Sequence, residues 1–409
     1  VGNKKHIVLI AAWFYPVNKV ASFRINAFAK YLNKEKYDVT VIAYNDDNLA
    51  PNETIYDGVN VYREKCTSLF QVRRQKVGEN WFTHNLKSLN NKIVLYFSKE
   101  DYPGWSNSVL KRLLSINDKQ KIDCIISTFA PVDSHIAAMN FKMKYPDIKW
   151  IADMRDEMSS NNLISEKDRL KLSFWESQFQ QYTDALVTVS APILNNFKTH
   201  FIREEILFRE IRNGFDHDLK PLNNFNDCFT FLYAGTFYGK RKPDTFFQAL
   251  VEMKNEGKLN CIWQIRLLGT HQNFDIPAEI KSNITIVPEK NNSEALTEMF
   301  QADCNLLIHP PTGVKGVYTG KLFEYISANK PILALVDKSD VAAELIAEFD
   351  SGISVDFYDI EEIKFAIAKI VEQWSNRMVR SYDQNKVFSL HRKNQTKELE
   401  NLIEEIGHA

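Results

Sequence analysis

The sequence lacks the usual marks of a metal, redox, membrane-spanning or nucleic-acid-binding protein. Its five cysteines, Cys66, Cys124, Cys228, Cys261 and Cys304, are odd in number and far apart. No C-x-x-C pair occurs, which excludes a zinc ribbon or a dithiol redox motif, and a reducing compartment suits such thiols. His84, His135, His200, His217, His271 and His309 fall at no metal-ligand spacing. The longest early apolar run, Ile7 to Tyr15, is too short to span a bilayer and is not laid out as a signal peptide. A formal net charge of −1 gives no whole-chain field to attract nucleic acid. No G-x-S-x-G occurs around Ser127 or Ser190, so a nucleophile elbow is not indicated.

What is present is ordinary in bulk and patterned in detail. The chain has 409 residues, 44% hydrophobic and 25% charged, enough for two or three domains that each bury a core. The expectation is a soluble, cytoplasmic protein, with peripheral contact at the inner membrane face left open. That opening comes from Arg73, Arg74 and Lys76, followed by a Lys-bearing apolar stretch from Asn85 to Lys99. The stretch reads either as a membrane-surface helix or as an ordinary packed one.

Short apolar runs alternate with amphipathic stretches. His6 to Ala12 is nearly all apolar, as a buried parallel strand requires. Ser22 to Leu32 reads as a helix with Ser22 at its N-cap, and Val39 to Tyr44 as the next strand. This is a β-α-β unit with a right-handed crossover. Further strands are expected at Cys124–Ser127, Trp150–Asp153 and Ala185–Ser190, with a helix from Ala191 to Thr199. The polar segment Lys220 to Asp227, with Pro221 and three asparagines, reads as a linker. Beyond it the pattern restarts, with strands at Cys228–Thr236, Gln264–Gly269, Ile284–Val287, Cys304–Ile308 and Pro331–Val336 and a helix from Asp244 to Lys254. The expected domains are 1–221, 222–385 and a C-terminal helix at 386–409 that returns to the first. The fold class is α/β, two doubly wound Rossmann-like domains facing a deep cleft.

Four constellations can carry chemistry. Tyr318, Thr319, Gly320, Lys321 and Glu324 lie where a strand passes through a glycine-bearing loop into a helix. A helix N-terminus offers unpaired N–H groups to an anion, Gly320 permits close approach, and Lys321 adds charge. The plainer reading is a capped helix with a solvated lysine and glutamate. Gly235, Thr236, Lys240, Arg241 and Lys242 form a second such joint, suited to a diphosphate or, more plainly, to a solvated basic loop. Asp153, Arg155 and Asp156 follow a strand and are candidates for acid-base or hydroxyl-orienting work, or for a structural ion-pair cluster. Arg24 can reach a phosphate from the first helix, or simply pack on the surface. The loop before it carries no G-x-G-x-x-G, so dinucleotide binding there is not supported. Asp216-His217-Asp218 spells D-x-D, but in a turn that favours Asp for local backbone bonds.

The run Gly320-Lys-Leu-Phe-Glu-Tyr-Ile-Ser-Ala-Asn-Lys-Pro-Ile-Leu333 resembles the K-L-x-E-Y-x-A-x-x-K/R-P signature of GT-B glycosyltransferases, family 4 in particular. Trp13-Phe-Tyr-Pro16 with Arg24, Ser127-Thr-Phe-Ala-Pro131, Asp153-Met-Arg-Asp156, Val187-Thr-Val-Ser190, Asn213-Gly-Phe-Asp216 and Tyr233-Ala-Gly-Thr236 agree in order. The resemblance implies a hexosyltransferase-like enzyme of polysaccharide biosynthesis. It would move sugar from a UDP- or GDP-sugar to a glycan or lipid-linked acceptor, with retention, no catalytic metal and no cofactor. It further implies that Glu324 binds ribose, that residues Tyr318 to Lys321 meet the phosphates, and that Arg241 with Lys240 or Lys242 neutralises them. Two departures stand out. Gly316 occupies the position of the first glutamate of the family's E-x7-E, and Arg155-Asp156 stand where a His-Asp pair is usual. They keep open a sugar-nucleotide epimerase on the same architecture, or a non-catalytic sugar-nucleotide-binding subunit.

Overall fold

The computed structural model describes residues 4–17, 19–45, 50–66, 80–219, 225–380 and 382–408. The basic cluster Arg73, Arg74 and Lys76 lies outside them, as does most of the expected linker. The chain divides into two compact units, Val1–Arg212 with Arg392–Ala409, and Asn213–His391.

In the first unit the described elements run β1 (Lys5–Ala11), α1 (Val20–Tyr31), β2 (Tyr37–Tyr44), β3 (Glu53–Tyr56), β4 (Val59–Glu64), α2 (Trp81–Phe97), α3 (Trp105–Lys119), β5 (Cys124–Thr128), α4 (Asp133–Lys144), β6 (Lys149–Arg155), α5 (Glu166–Phe179), β7 (Ala185–Thr188), α6 (Ala191–His200) and β8 (Leu207–Glu210). They build an eight-stranded sheet in the order β3-β4-β2-β1-β5-β6-β7-β8. Only the β3–β4 hairpin is antiparallel. Helices cover both faces, so β1 after Lys5 and all of β5 are buried without a break rather than alternately.

The second unit continues with β9 (Phe229–Ala234), α7 (Asp244–Asn255), β10 (Trp263–Leu268), β11 (Ile284–Val287), α8 (Asn292–Gln301), β12 (Cys304–His309), α9 (Gly320–Ser327), β13 (Ile332–Val336), α10 (Val341–Glu348), β14 (Gly352–Asp356), α11 (Ile360–Ser375) and α12 (Gln384–Phe388). Its sheet is wholly parallel, in the order β11-β10-β9-β12-β13-β14. The last helix, α13 (Arg392–His408), belongs to the first unit. Its Leu399, Leu402, Ile403 and Ile406 recur at helical spacing and enter that unit's core beside Ile25 and Phe28 of α1.

One local expectation is corrected. Ser22 does not cap α1. The helix begins at Val20 behind Lys19, and Ser22 Oγ donates back to the carbonyls of Lys19 and Val17 at 2.8 and 2.7 Å. A serine inside a first turn can bond the preceding carbonyl instead of the amides ahead. Among the described residues no helix is long and apolar enough to cross a membrane.

Candidate functional site

In the second unit β9 sits between β10 and β12, so the winding reverses between β9 and β12. Open α/β sheets leave a crevice at such a switch point, beyond the carboxyl ends of the strands. Two loops leave from there. After β9 comes Gly235 with φ +122, a conformation that L side chains rarely adopt. A Cβ on Gly235 would lie 2.7 Å from Lys321 Nζ, so glycine is what lets the lysine cross the strand end. After β12 comes the loop that leads into α9. The Ala234 N–H donates to the Tyr325 hydroxyl at 3.0 Å and ties α9 to β9.

This arrangement gathers positive charge. Lys321 Nζ lies 4.1 Å from the centre of the Tyr233 ring. Arg241 donates to His309 Nδ1, and its guanidinium lies 4.9 Å from the Tyr238 ring. An Nδ1 that accepts carries no proton. Burial, and then the charge of Arg241, drive the His309 pKa down to about 4. The same two causes, in the same order, pull Lys321 down to about 7, against the opposing pull of Glu324. Among the described residues neither Lys321 nor Arg241 forms an ion pair. The helix start adds to the field. Gly320 is exposed as the first residue of α9, while Thr319 at the N-cap is buried and its Oγ1 finds no partner among the described residues. Exposed first-turn amides beside cations form an anion cradle.

The remaining residues of these two segments spread around the cradle. Thr236, Lys240 and Lys242 are exposed, and the Thr236 carbonyl accepts from Tyr233 Oη at 3.2 Å. Tyr318 packs edge-on to Phe323 at 5.3 Å between ring centres. Glu324 is half-buried one turn into α9. Lys315 is turned away, held by Asp337 and Ser339 at 2.8 and 2.6 Å, and the Gly316 N–H donates to Asp340 at 2.7 Å. No carboxylate stands at position 316.

In the first unit Arg24 and Asp153 meet across 129 positions of sequence, both buried. Arg24 donates from Nε to Oδ2 at 3.0 Å and from Nη2 to Oδ1 at 3.0 Å. Its Nη1 donates to the Ile211 carbonyl at 2.8 Å, and Thr128 Oγ1 bonds Asp153 Oδ2 at 3.0 Å. The expected phosphate-reaching role of Arg24 therefore gives way to an internal pair, and Asp153 spends its lone pairs within the chain. Arg155 ends β6 with φ +55, where the register against β7 shifts. It bonds the Ala21 carbonyl at 3.3 Å and lies 3.6 Å from the half-exposed Asp156. In the D-x-D turn, His217 Nε2 pairs with Ser327 Oγ at 2.9 Å and Asp216 lies 4.0 Å from His391.

Sequence reasoning missed His309 and Tyr233. The signal for His309 was its place as the last residue of a strand, before Pro310-Pro311. Tyr233 looked like core because it is core on one side, stacked on Phe237 at 4.1 Å.

No family model matches the chain, and no curated protein matches it in sequence. Solved structures do match. Sucrose-phosphate synthase from Thermosynechococcus elongatus superposes with a TM-score of 0.67 at 13% identity, over 98% of this chain and 99% of that one. A glycosyltransferase from Rickettsia africae gives 0.63 at 14% identity, over 99% of each chain. Anabaena HepE in complex with UDP-glucose gives 0.63 at 12% identity, over 98% and 99%. The chain has the mixed α/β fold, with two parallel-sheet bodies, of GT-B glycosyltransferases.

Proposed function

We propose that the chain is a glycosyltransferase that takes its sugar from a nucleoside-diphosphate sugar. The observation that carries this is the crowding of Lys321, Arg241 and the α9 N-terminus at the β9–β12 switch point. Cations held together against their own repulsion need an anion, and a departing diphosphate is one whose charge grows as the glycosidic bond breaks. Support comes from the likeness to a structure that holds UDP-glucose.

In this reading the diphosphate lies against Lys321, Arg241 and the backbone from Tyr318 to Gly320, with Gly235 and Thr236 facing it. Glu324 accepts hydrogen bonds from ribose hydroxyls. Lys321 and Arg241, aided by Lys240, supply the positive charge that a metal gives in other transferases. Asp153 is a positioning residue that fixes α1 to the end of β6, and Arg155 with Asp156 orients the acceptor. The acceptor is a glycan or lipid-linked sugar, the donor a UDP- or GDP-sugar, and the closest family pattern is family 4 with retention of configuration.

Gly316 favours one second reading, a sugar-nucleotide-binding protein without transfer. Calorimetric titration with UDP, GDP and their sugars, followed by measuring diphosphate release with and without an acceptor pool, separates the two. Micromolar binding with acceptor-dependent release is expected. Binding without release supports the second reading, and no binding by any nucleotide sinks both.

A further inference from the structure

Arg241 is held by a partner that carries no charge. It sits on the short turn after β9, where its backbone N–H donates to the Tyr238 carbonyl at 3.0 Å. Its guanidinium donates to His309 Nδ1 and lies close to the Tyr233 hydroxyl. His309 stands across an opening in the sheet. The register between β9 and β12 pairs Phe231 with Cys304 and Leu232 with Asn305 and ends there, although β9 runs on to Ala234 and β12 to His309. The two strands have parted by the switch point. On its other side β12 stays paired to β13 as far as His309 with Val336, so the His309 backbone is fixed. The Arg241–His309 bond therefore ties the β9 loop to the end of β12 across the gap where the anion cradle lies.

Histidine at this place has an electrostatic consequence. A carboxylate would hold the guanidinium more firmly, but it would spend the charge and repel an incoming anion. A neutral imidazole with its proton on Nε2 fixes the direction of the guanidinium and leaves the charge in place. Burial, then the charges of Arg241 and Lys321, keep the ring neutral against the pull of Asp340. We infer that His309 is a positioning residue, which holds Arg241 poised across the β9–β12 opening of the empty site and leaves its charge for the ligand. This rests on the reading of the cradle as a diphosphate seat, and names what sets its width and its charge before the donor arrives.

Three substitutions separate geometry from charge. His309→Asn keeps a neutral acceptor near the Nδ1 position, His309→Asp puts a carboxylate in the same shape, and His309→Leu offers neither. In calorimetry with UDP and GDP the asparagine variant is expected to stay within about threefold of the wild type, the leucine variant to lose about tenfold and the aspartate variant about thirtyfold. Stability is expected to move against affinity in the aspartate variant, whose urea midpoint should rise because the carboxylate offsets Arg241 and Lys321. In an Arg241→Met background His309→Leu should cost nothing further, since it acts through Arg241. Imidazole nitrogen NMR of the wild type reads the ring without any nucleotide, and should find it neutral with the proton on Nε2. Equal losses in all three variants, a further loss in the Arg241→Met background, or a ring protonated on Nδ1 overturns the inference while leaving the diphosphate reading standing. A wild type with the proton on Nε2 and no affinity for either nucleotide overturns the diphosphate reading, and this role with it.

Discussion

At the end of β6 a buried arginine and a buried aspartate hold one another, and all three guanidinium nitrogens and both carboxylate oxygens bond inside the chain. At the ends of β9 and β12 a lysine and an arginine crowd a histidine, with Glu324 the only carboxylate among the described residues acting on Lys321. Both clusters sit at strand ends of parallel sheets and both are rich in charge. They differ in whether the chain supplies the counter-charge. A satisfied pair is architecture, because removing either partner strands a charge in a dry place. An unsatisfied cluster costs stability in the empty protein and repays it only when an anion arrives.

Removing charge should therefore have opposite consequences in the two units. Asp153→Ala leaves Arg24 buried without its partner, and should cost about 3–5 kcal/mol in urea unfolding of the first unit. Lys321→Met keeps the bulk and drops the charge. It should leave the unfolding midpoint of the second unit unchanged or raised, while weakening a nucleoside diphosphate sugar by about 10- to 100-fold in calorimetry. If both substitutions destabilise alike, the contrast between the clusters is gone.

A subtler difference appears with pH. Burial and the charge of Arg241 pull the Lys321 pKa down to about 7 in the folded protein, against about 10.4 when unfolded. Below about 7 both states carry the proton and the folded state bears the full penalty of the buried charge. Between the two values the unfolded chain holds more protons, so this lysine's contribution to stability rises with pH. Donor binding runs the other way. A bound diphosphate keeps Lys321 protonated, so the affinity of a nucleotide sugar should fall as pH rises above about 7, with uptake of up to about one proton. Calorimetry in two buffers of different ionisation enthalpy measures that uptake, and Lys321→Met should abolish it.

The smallest effect is expected at exposed Lys315, whose charge is spent on half-buried Asp337. Lys315→Ala should change stability by less than about 1 kcal/mol and donor affinity hardly at all. A large loss of affinity there would mean that the lysine swings into the site and that the cradle is wider than Lys321 and Arg241.

What could be read from the sequence was what is local. The β-α-β grammar showed because strands covered on both faces are nearly all apolar, as in Ile7 to Ala11 and Leu306 to Ile308. The α9 joint showed because glycine, lysine and glutamate fall within five residues of one another. The Arg24–Asp153 pair did not show, since nothing in either neighbourhood points to a partner 129 residues away. Arg24 near the start of a helix looks the same whether it waits for phosphate or for Asp153. The β3–β4 hairpin went unread because its strands are only four and six residues long, and His309 because a strand-end position is a fainter mark than metal-ligand spacing.

The central claim is that the cluster at the β9–β12 switch point is the seat of a diphosphate. A crystal structure of the chain soaked with UDP or GDP tests it most directly. The expected result is a diphosphate within hydrogen-bond reach of Lys321 Nζ, the Arg241 guanidinium and the first amides of α9, with the ribose toward Glu324. A nucleotide bound elsewhere, with Lys321 still against Tyr233 and Arg241 still on His309, would contradict it.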